Sequence, residues 1–279
     1  MANERLEDII RVYEDVVDTR SGPMLEEEHV ELEDLDLDNK RALVLVVEGS
    51  TGEYDLEWAL ENAGFKTDHY LVKTSSNEKY LESLEELAKK IDSVSILAIP
   101  HGDYQASVIR NISGVIRDIL EDEKVRKAID RLVERKGFVL GIGAGMAGLI
   151  DAGLFGNIGD KLVFRTNENN KYISTMLDLV SHSNSYLSDG YYEYSAPISG
   201  RMITLECPDK DALEKEVDIL SYNKKNILEK DSGIDSIASK CGHIIGIRSN
   251  IERMGKDLYK NIEIEGLPRH FEVLRSHFK

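Results

Sequence analysis

The sequence has little cysteine and no long apolar run, and these absences exclude several classes of protein. The two cysteines, Cys207 and Cys241, cannot build a disulfide framework, and neither belongs to a C-x-x-C motif of the kind found in zinc or redox sites. No apolar run approaches the length needed to cross a membrane, and the N-terminal residues do not resemble a signal peptide. We therefore expect a soluble, cytoplasmic protein.

Recognisable metal and cofactor motifs are also missing. No cluster of His, Cys, Asp and Glu has the spacing of metal ligands. Gly141, Gly143 and Gly145 superficially resemble a dinucleotide-binding fingerprint. However, the third glycine is not at the required offset, and the motif follows the fourth predicted strand instead of the first. The sequence thus predicts neither a metal nor a cofactor.

Positive charge is scarce, since 35 Lys and Arg residues face 52 Asp and Glu residues, for a formal net charge of −17. Such a surface repels nucleic acids and anionic membranes, which excludes both as main partners. Residues 26–38 are especially rich in carboxylates. This run is either an interaction tail or a solvated linker, and the second interpretation is favoured.

The N-terminal residues form a predicted extension to the main domain. Residues 3–18 place apolar side chains on one helical face, and Ser21, Gly22 and Pro23 end that helix. The apolar face must pack either on the main domain or on another subunit. We expect residues 1–40 to comprise this helix and the acidic connector, and residues 41–279 to form one α/β domain.

The main domain shows an alternation of strands and helices. Apolar runs predict strands at 42–47, 67–72, 94–99 and 138–142, with helical patterns between them. This order predicts an α/β fold, an open and mostly parallel sheet with helices on both faces. Further β-like runs occur at 162–166, 173–180, 191–195, 202–205 and 243–247, and a last helix is expected from Glu252.

Ligand sites in such folds lie at the carboxyl ends of the strands. Here those ends are Gly49 and Ser50, then His101 and Gly102, and then the stretch from Gly143 to Gly145. Residues 137–153 read as a strand that turns sharply into a helix, the geometry of a nucleophile elbow. Yet no Ser, Thr or Cys lies at that corner.

The order of these segments resembles the class I glutamine amidotransferase domain, and most closely the glutaminase component of the formylglycinamide ribonucleotide amidotransferase family. The resemblance covers roughly residues 41–260. It is carried by residues 47–55 after the first strand, the helix end at 58–65, the loop at 100–104, the elbow with residues 151–154, and the segment from Ile245 to Met254.

Set against that family, the catalytic residues are altered. The family's mechanism uses a cysteine thiolate, a histidine base and a carboxylate that orients the base. The resemblance puts Gly143 at the cysteine position and Asn250 at the histidine position, and leaves only the carboxylate, Glu252. His101 stands where the oxyanion loop has a glycine. The family's segment Pro-x-x-His-Gly-Glu-Gly-Arg is shortened to Pro197 through Arg201.

Three other residues are candidate sources of chemistry. Cys207 is predicted to be a half-buried structural thiol, and Cys241, with His243 two residues on, is predicted to begin a strand without a catalytic role. His101 lies where ligands bind in this architecture, although a loop histidine without function is an equal alternative. The bare glycines of the elbow also leave the helix N-terminus open to an anionic group.

The resemblance and its gaps together predict a degenerate, catalytically inactive glutaminase-like subunit. It would serve as a structural or regulatory partner of a synthetase of the purine-pathway type or of a paralogue. A repurposed small-molecule binder or enzyme is the alternative, and a working amidotransferase with an unusual nucleophile is disfavoured. The candidate ligand-binding residues are Gly49, Ser50, His101, Gly102, Ala144, Ser199 and Arg201.

Overall fold

A nine-stranded mixed sheet runs through the structure, a computed structural model that describes residues 40–102, 112–181, 184–225, 228–255, 258–259, 262–264 and 266–278. The strands of the described residues, in chain order, are β1 Arg41–Val46, β2 Lys66–Leu71, β3 Ile96–Ile99, β4 Phe138–Ile142, β5 Val163–Arg165, β6 Ile173–Ser181, β7 Asn184–Ser185, β8 Ser188–Asp189, β9 Tyr192–Gly200, β10 Thr204–Glu206, β11 Val217–Asn223, β12 Ile234–Ser239 and β13 Ile244–Ile247. The helices are α1 Glu53–Asn62, α2 Asn77–Ile91, α3 Ile112–Leu120, α4 Glu123–Glu134, α5 Ala144–Asp151, α6 Lys210–Glu214 and α7 His270–Ser276.

One half of the sheet is parallel and contains the candidate site. Its strands follow the order β2-β1-β3-β4-β13, and each pairs in parallel with its neighbour. The carboxyl ends of β1, β3, β4 and β13 therefore meet at one edge of the sheet. That edge is where ligands bind in open α/β sheets.

The other half of the sheet is antiparallel. From β13 the order continues β12-β11-β6-β9, and every pairing in this extension is antiparallel. The long hairpin of β6 and β9 brings Ser199 and Gly200 into register with Ser174 and Ile173. Two further two-stranded sheets, β5 with β10 and β7 with β8, accompany this half.

The core has two layers because strand side chains alternate between the sheet faces. In β1, Leu43 and Leu45 join a cluster built with α2, α3, α4 and α5 on one face. Ala42 and Val44 point to the other face, where they join α1 and α7. The parallel strands read as continuous apolar runs because both faces are covered.

Short polar side chains start several helices. The Ser76 hydroxyl accepts the Lys79 N–H at the start of α2, and the Asp122 carboxylate accepts the N–H groups of Lys124 and Val125 at the start of α4. Each cap satisfies donors that the first turn leaves without intrahelical partners. α5 differs, because it begins after Gly143 and has no side-chain cap.

The α/β architecture predicted from the sequence is confirmed, and the first four strands lie within two residues of their predicted bounds. The helix predicted from Glu252 is wrong. Residues 251–253 form a single 3-10 turn, and the last helix is α7. The predicted helix and acidic connector of residues 1–40 lie outside the described residues, apart from Lys40.

Candidate functional site

The corner between β4 and α5 forms the centre of the candidate site. β4 ends at Ile142, α5 begins at Ala144, and Gly143 between them has φ +54° and ψ −108°. The Gly143 N–H donates to the carbonyl of Ile247, 2.7 Å away, which fixes the corner to the end of β13. Non-glycine residues adopt this strained backbone region at a cost of about 1–3 kcal/mol, typically at functional sites. The strand, the corner and the helix thus have the geometry of a nucleophile elbow, with a glycine at its tip.

The imidazole of His101 occupies the space next to that glycine. A Cβ built on Gly143 would lie only 2.3 Å from His101 Nδ1, and 3.2 Å and 3.3 Å from Cγ and Cε1 of the ring. The first of these distances is shorter than real Cβ contacts, and the other two are tight. The ring therefore fills the position that a side chain at residue 143 would need.

His101 is held in place through its backbone and is buried. Its carbonyl accepts the N–H groups of Thr51 and Gly52, both at 3.2 Å, which ties the end of β3 to the turn after β1. The side chain is almost completely enclosed, and burial, with a smaller contribution from Arg253, lowers the pKa of His101 to about 4. The imidazole is neutral at pH 7, and among the described residues Nδ1 has no hydrogen-bond partner.

The space that remains around the elbow is small. A cavity of about 10 Å³ adjoins Gly143, roughly the space that one water molecule needs. Its lining residues are His101, Gly143, Ala144, Phe164, Ser199, Met202, Ile203 and Arg248. A cavity of this size has no room for an amino acid.

Asn250 and Glu252 lie beside the turn after β1. The Asn250 amide donates to Glu252 Oε1 at 3.3 Å, and the Asn250 N–H donates to the carbonyl of Pro197 at 2.8 Å. Glu252 is fully buried, and burial raises its pKa to about 7. Its Oε2 has no hydrogen-bond partner among the described residues.

Gly52 is the point where this carboxylate and His101 come together. A Cβ built on Gly52 would lie 3.3 Å from Glu252 Oε1 and 3.4 Å from the Cβ of His101. Nearby, the Arg253 guanidinium donates to Asp55 at 2.9 Å and to the carbonyl of Thr51 at 3.0 Å. These contacts therefore connect three segments to one another: the turn after β1, the end of β3 and the segment after β13.

Arg248 is a site residue that the sequence did not indicate. It lines the elbow cavity and is 2% exposed. One of its terminal nitrogens donates to Asp231 at 2.5 Å, and its Nε lies 3.9 Å from Asp235. Nε and the other terminal nitrogen have no hydrogen-bond partner among the described residues. Its partners come from distant segments of the chain, so sequence spacing gave no sign of this cluster.

The remaining candidates divide into two groups. Ser199 lines the elbow cavity with His101 and Ala144, and Ser50 pairs with Gly102 through an isolated antiparallel bridge beside Gly49. Arg201 is exposed and does not line the cavity. The structure thus brings together the predicted glycines and hydroxyls of three strand ends but leaves Arg201 outside.

Neither cysteine lies at the elbow. Cys241 is exposed between β12 and β13, at the opposite edge of the sheet, where it lines a separate cavity of about 740 Å³. Cys207 follows β10, is partly buried against the core, and burial raises the pKa of its thiol. Cys207 is therefore partly buried, whereas Cys241 is exposed just before β13.

Two other kinds of site are absent from the described residues. Among them, no group of three or more His, Cys, Asp and Glu side chains is arranged to hold a metal ion. Within the same part of the chain, no helix is both long and apolar enough to span a membrane.

Comparison with known proteins places the chain among glutamine amidotransferases. The model of the CobB/CobQ-like glutamine amidotransferase domain matches residues 39–269. The phosphoribosylformylglycinamidine synthase subunit PurQ of Picrophilus torridus is 24% identical over 234 residues, which cover 78% of this chain and 88% of that protein.

Two solved structures have a similar fold. The PurLQS structure from Thermotoga maritima superposes with a TM-score of 0.65 at 20% identity, over 86% of this chain and all of the matched chain. A putative GMP synthase subunit from Thermoplasma acidophilum gives a TM-score of 0.52 at 14% identity, over 86% of this chain and 92% of that one. At these identities the likeness concerns the fold alone.

Proposed function

We infer a function from the premise that this chain belongs to the CobB/CobQ-like glutamine amidotransferase family. We propose that it is a glutaminase-like subunit without glutaminase activity. Its role would be that of a structural or regulatory partner of a synthetase of the purine-pathway type, or of a paralogue of one. The relatives named above, PurQ and the PurLQS structure, motivate that choice of partner.

One observation carries the first half of the proposal: the position of the nucleophile's side chain is taken by His101. Gly143 supplies no nucleophile, and the imidazole lies 2.3 Å from where a Cβ would be. The cavity that adjoins the elbow within the described part of the chain is only about 10 Å³, which is too small to hold a glutamine side chain.

The loss of the base supports the same conclusion independently. Glutaminase chemistry of this kind needs a general base to take the proton of the attacking group and return it to the leaving amine. Asn250, at the position that the resemblance assigns to that base, has an amide that cannot do so. Glu252 keeps its carboxylate, but that group holds Asn250 instead of an imidazole.

The proposed lack of activity is tested by measuring glutamate released from L-glutamine by the purified protein, alone and with the synthetase subunit. We expect none above the rate without protein. The proposed partner role is tested by purifying the tagged protein from its native host. Recovery of a synthetase supports that role, whereas its repeated absence contradicts it.

A second candidate function is a small-molecule binder or enzyme that uses the altered pocket. It is favoured by two buried atoms, His101 Nδ1 and Glu252 Oε2, that have no hydrogen-bond partner in the part of the chain that the structure describes, because buried polar groups usually have partners. A ligand that raises the melting temperature of the wild type but not of His101→Ala would support it. Arg201→Ala is the matched control, since Arg201 lies outside the cavity and should leave the effect unchanged.

A working amidotransferase with a relocated nucleophile is the third possibility. It would require Cys207 or Cys241 to reach the substrate, although neither lines the elbow cavity. Variants Cys207→Ser and Cys241→Ser separate it from the other two: loss of glutaminase activity in either variant would support it.

A further inference from the structure

An exposed aromatic patch adjoins the candidate site. Tyr54 and Trp58 lie one turn apart on α1, so their side chains share a face, and each is 51% exposed. Leu258 is 57% exposed and packs next to Trp58, since a Cβ on Gly255 would lie 2.9 Å from Leu258 Cδ1 and 3.3 Å from Trp58 Cη2. We call Tyr54, Trp58 and Leu258 the α1 patch.

The α1 patch is continuous with the site on the inner side of α1. Leu56 and Leu60 of that helix are fully buried in the core, so α1 is anchored and presents its other face outward. Arg253 links the two regions, because it pairs with Asp55 of α1 and bonds the carbonyl of Thr51 in the turn beside Glu252. A partner on the patch would therefore lie next to the altered catalytic residues.

The chemistry of the patch points to a protein partner of a particular kind. Exposed Trp and Tyr residues are strongly enriched among residues that dominate protein–protein affinity. α1 also carries four carboxylates and no Lys or Arg, within a chain of net charge −17. The complementary surface has an apolar pocket for Trp58 and a rim of Lys and Arg residues.

We propose that the α1 patch is the surface that binds the synthetase subunit through such a basic-rimmed apolar pocket. The identity of the partner rests on the function proposed above, whereas the location of the surface does not. A second copy of this chain is disfavoured as occupant, since its own α1 face is equally acidic and would repel.

The single tryptophan of the chain makes the test specific. The full-length protein is labelled with 5-fluorotryptophan, which gives one ¹⁹F signal, from Trp58. The signal is followed while the unlabelled synthetase is titrated in, and complex formation is measured separately by isothermal titration calorimetry. We expect the signal to shift on binding, and Trp58→Ala to weaken the affinity by about 30-fold, the loss typical of a central interface residue.

Leu81→Ala is the matched control. Leu81 is 54% exposed, but it belongs to α2, which packs on the opposite face of the sheet. This variant should bind like the wild type. Since Trp58 and Leu81 are both largely exposed, neither substitution should unfold the protein, and equal melting temperatures verify this.

The outcomes separate this inference from the proposed function. A complex whose ¹⁹F signal does not move, and whose affinity survives Trp58→Ala, leaves the proposed function intact and overturns the docking surface. No complex at all overturns both. A signal that shifts with the concentration of this protein alone identifies a second copy as the occupant and also overturns the inference.

Discussion

At the scale of single residues, Gly143 and His101 fit each other closely. On the alignment with the family that we propose, a side chain would be lost at the elbow and an imidazole gained in the loop opposite. The imidazole lies within the volume that the lost side chain would take. The imidazole therefore keeps the corner packed. If this volume were empty, the atoms that line it would lose van der Waals contacts.

The fit predicts coupling between the two positions. Gly143→Ala should destabilise the fold by about 3 kcal/mol, because it combines strain at φ +54° with overlap on the His101 ring. In a His101→Ala background the overlap disappears, and the penalty should fall by roughly 1–2 kcal/mol. Urea denaturation of the four proteins measures this cycle.

Gly153 provides the control for backbone strain. Its φ is +67°, yet a Cβ there has no atom within 4 Å. Gly153→Ala should cost about 1 kcal/mol from strain alone, equally in both backgrounds. An equal penalty for Gly143→Ala with and without the imidazole would refute the coupling.

Glu252 should leave a signature in the pH dependence of stability. Its folded pKa of about 7 is above the unfolded value of about 4.3, so the folded state binds the extra proton between these two pH values. The contribution of Glu252 to the free energy of unfolding is therefore greatest below pH 4.3 and is lost as the pH rises towards 7. Full protonation linkage would amount to roughly 3 kcal/mol.

Comparison with Glu252→Gln isolates that effect. The buried, neutral His101 and His270 act in the opposite direction, because their lowered pKa values make stability fall as the pH drops below about 6.5. The difference between wild type and Glu252→Gln in free energy of unfolding, measured from pH 4.5 to 8, should move in favour of the variant as the pH rises. A pH-independent difference would contradict a raised pKa.

The residues of the site were only partly predictable from the sequence. The empty elbow at Gly143 was visible, because a strand, a small-residue corner and a helix have a local pattern. Arg248 was not, because its burial depends on Asp231 and Asp235, which reach it only in the folded chain. His101 was singled out by its place at a strand end, but its contact with Gly143 is a property of the tertiary structure.

At the scale of elements, two glycines allow α5 to pack closely against its neighbours. A Cβ on Gly145 would lie 2.3 Å from the carbonyl oxygen of Ile99, and a Cβ on Gly148 would lie 2.4 Å from a methyl group of Ile116. The first obstacle is backbone at the end of β3, which cannot move without breaking the sheet. The second is the branched side chain of Ile116 on α3, whose Cβ would also lie only 2.8 Å away, so relief requires a shift of that helix and not of the sheet.

Alanine substitutions should therefore rank in a definite order. Gly145→Ala should destabilise by more than about 3 kcal/mol, and Gly148→Ala by roughly 1–3 kcal/mol. Gly114→Ala in α3 is the control, since nothing lies within 4 Å of its Cβ position. It should stabilise the protein by about 0.5–1 kcal/mol through helix propensity. Melting temperatures in the reverse order would contradict the packing described here.

Sequence patterns predict some of the helices and strands and miss others. The parallel strands were evident because both of their faces are buried, which requires continuous apolar runs. β11 and β12 were missed because polar residues interrupt them. In β12, Asp235 and Ser236 are fully buried, and hydrogen bonds from Ser221 and Ser249 hold the Asp235 carboxylate. The helix expected from Glu252 failed because the buried contacts of Asn250 and Glu252 fix a short 3-10 turn instead.

At the scale of the whole molecule, the family's α/β sheet is retained, and we propose that the residues of its reaction are replaced. The carboxyl ends of β1, β3, β4 and β13 meet at one edge of the sheet, where ligands bind in open α/β sheets. What differs is the content of that edge: a glycine and an imidazole at the elbow, and an amide beside a protonatable carboxyl group. A glutaminase fold without a nucleophile fits the proposed role, in which the protein binds a partner and does not hydrolyse glutamine.

Glutamine hydrolysis by the purified wild-type protein, with and without the synthetase subunit, is the most direct test of this account. The predicted result is no release of glutamate above the rate without protein, since Gly143 supplies no nucleophile and Asn250 supplies no base. Release that depends on the protein and disappears in Cys207→Ser or Cys241→Ser would contradict it.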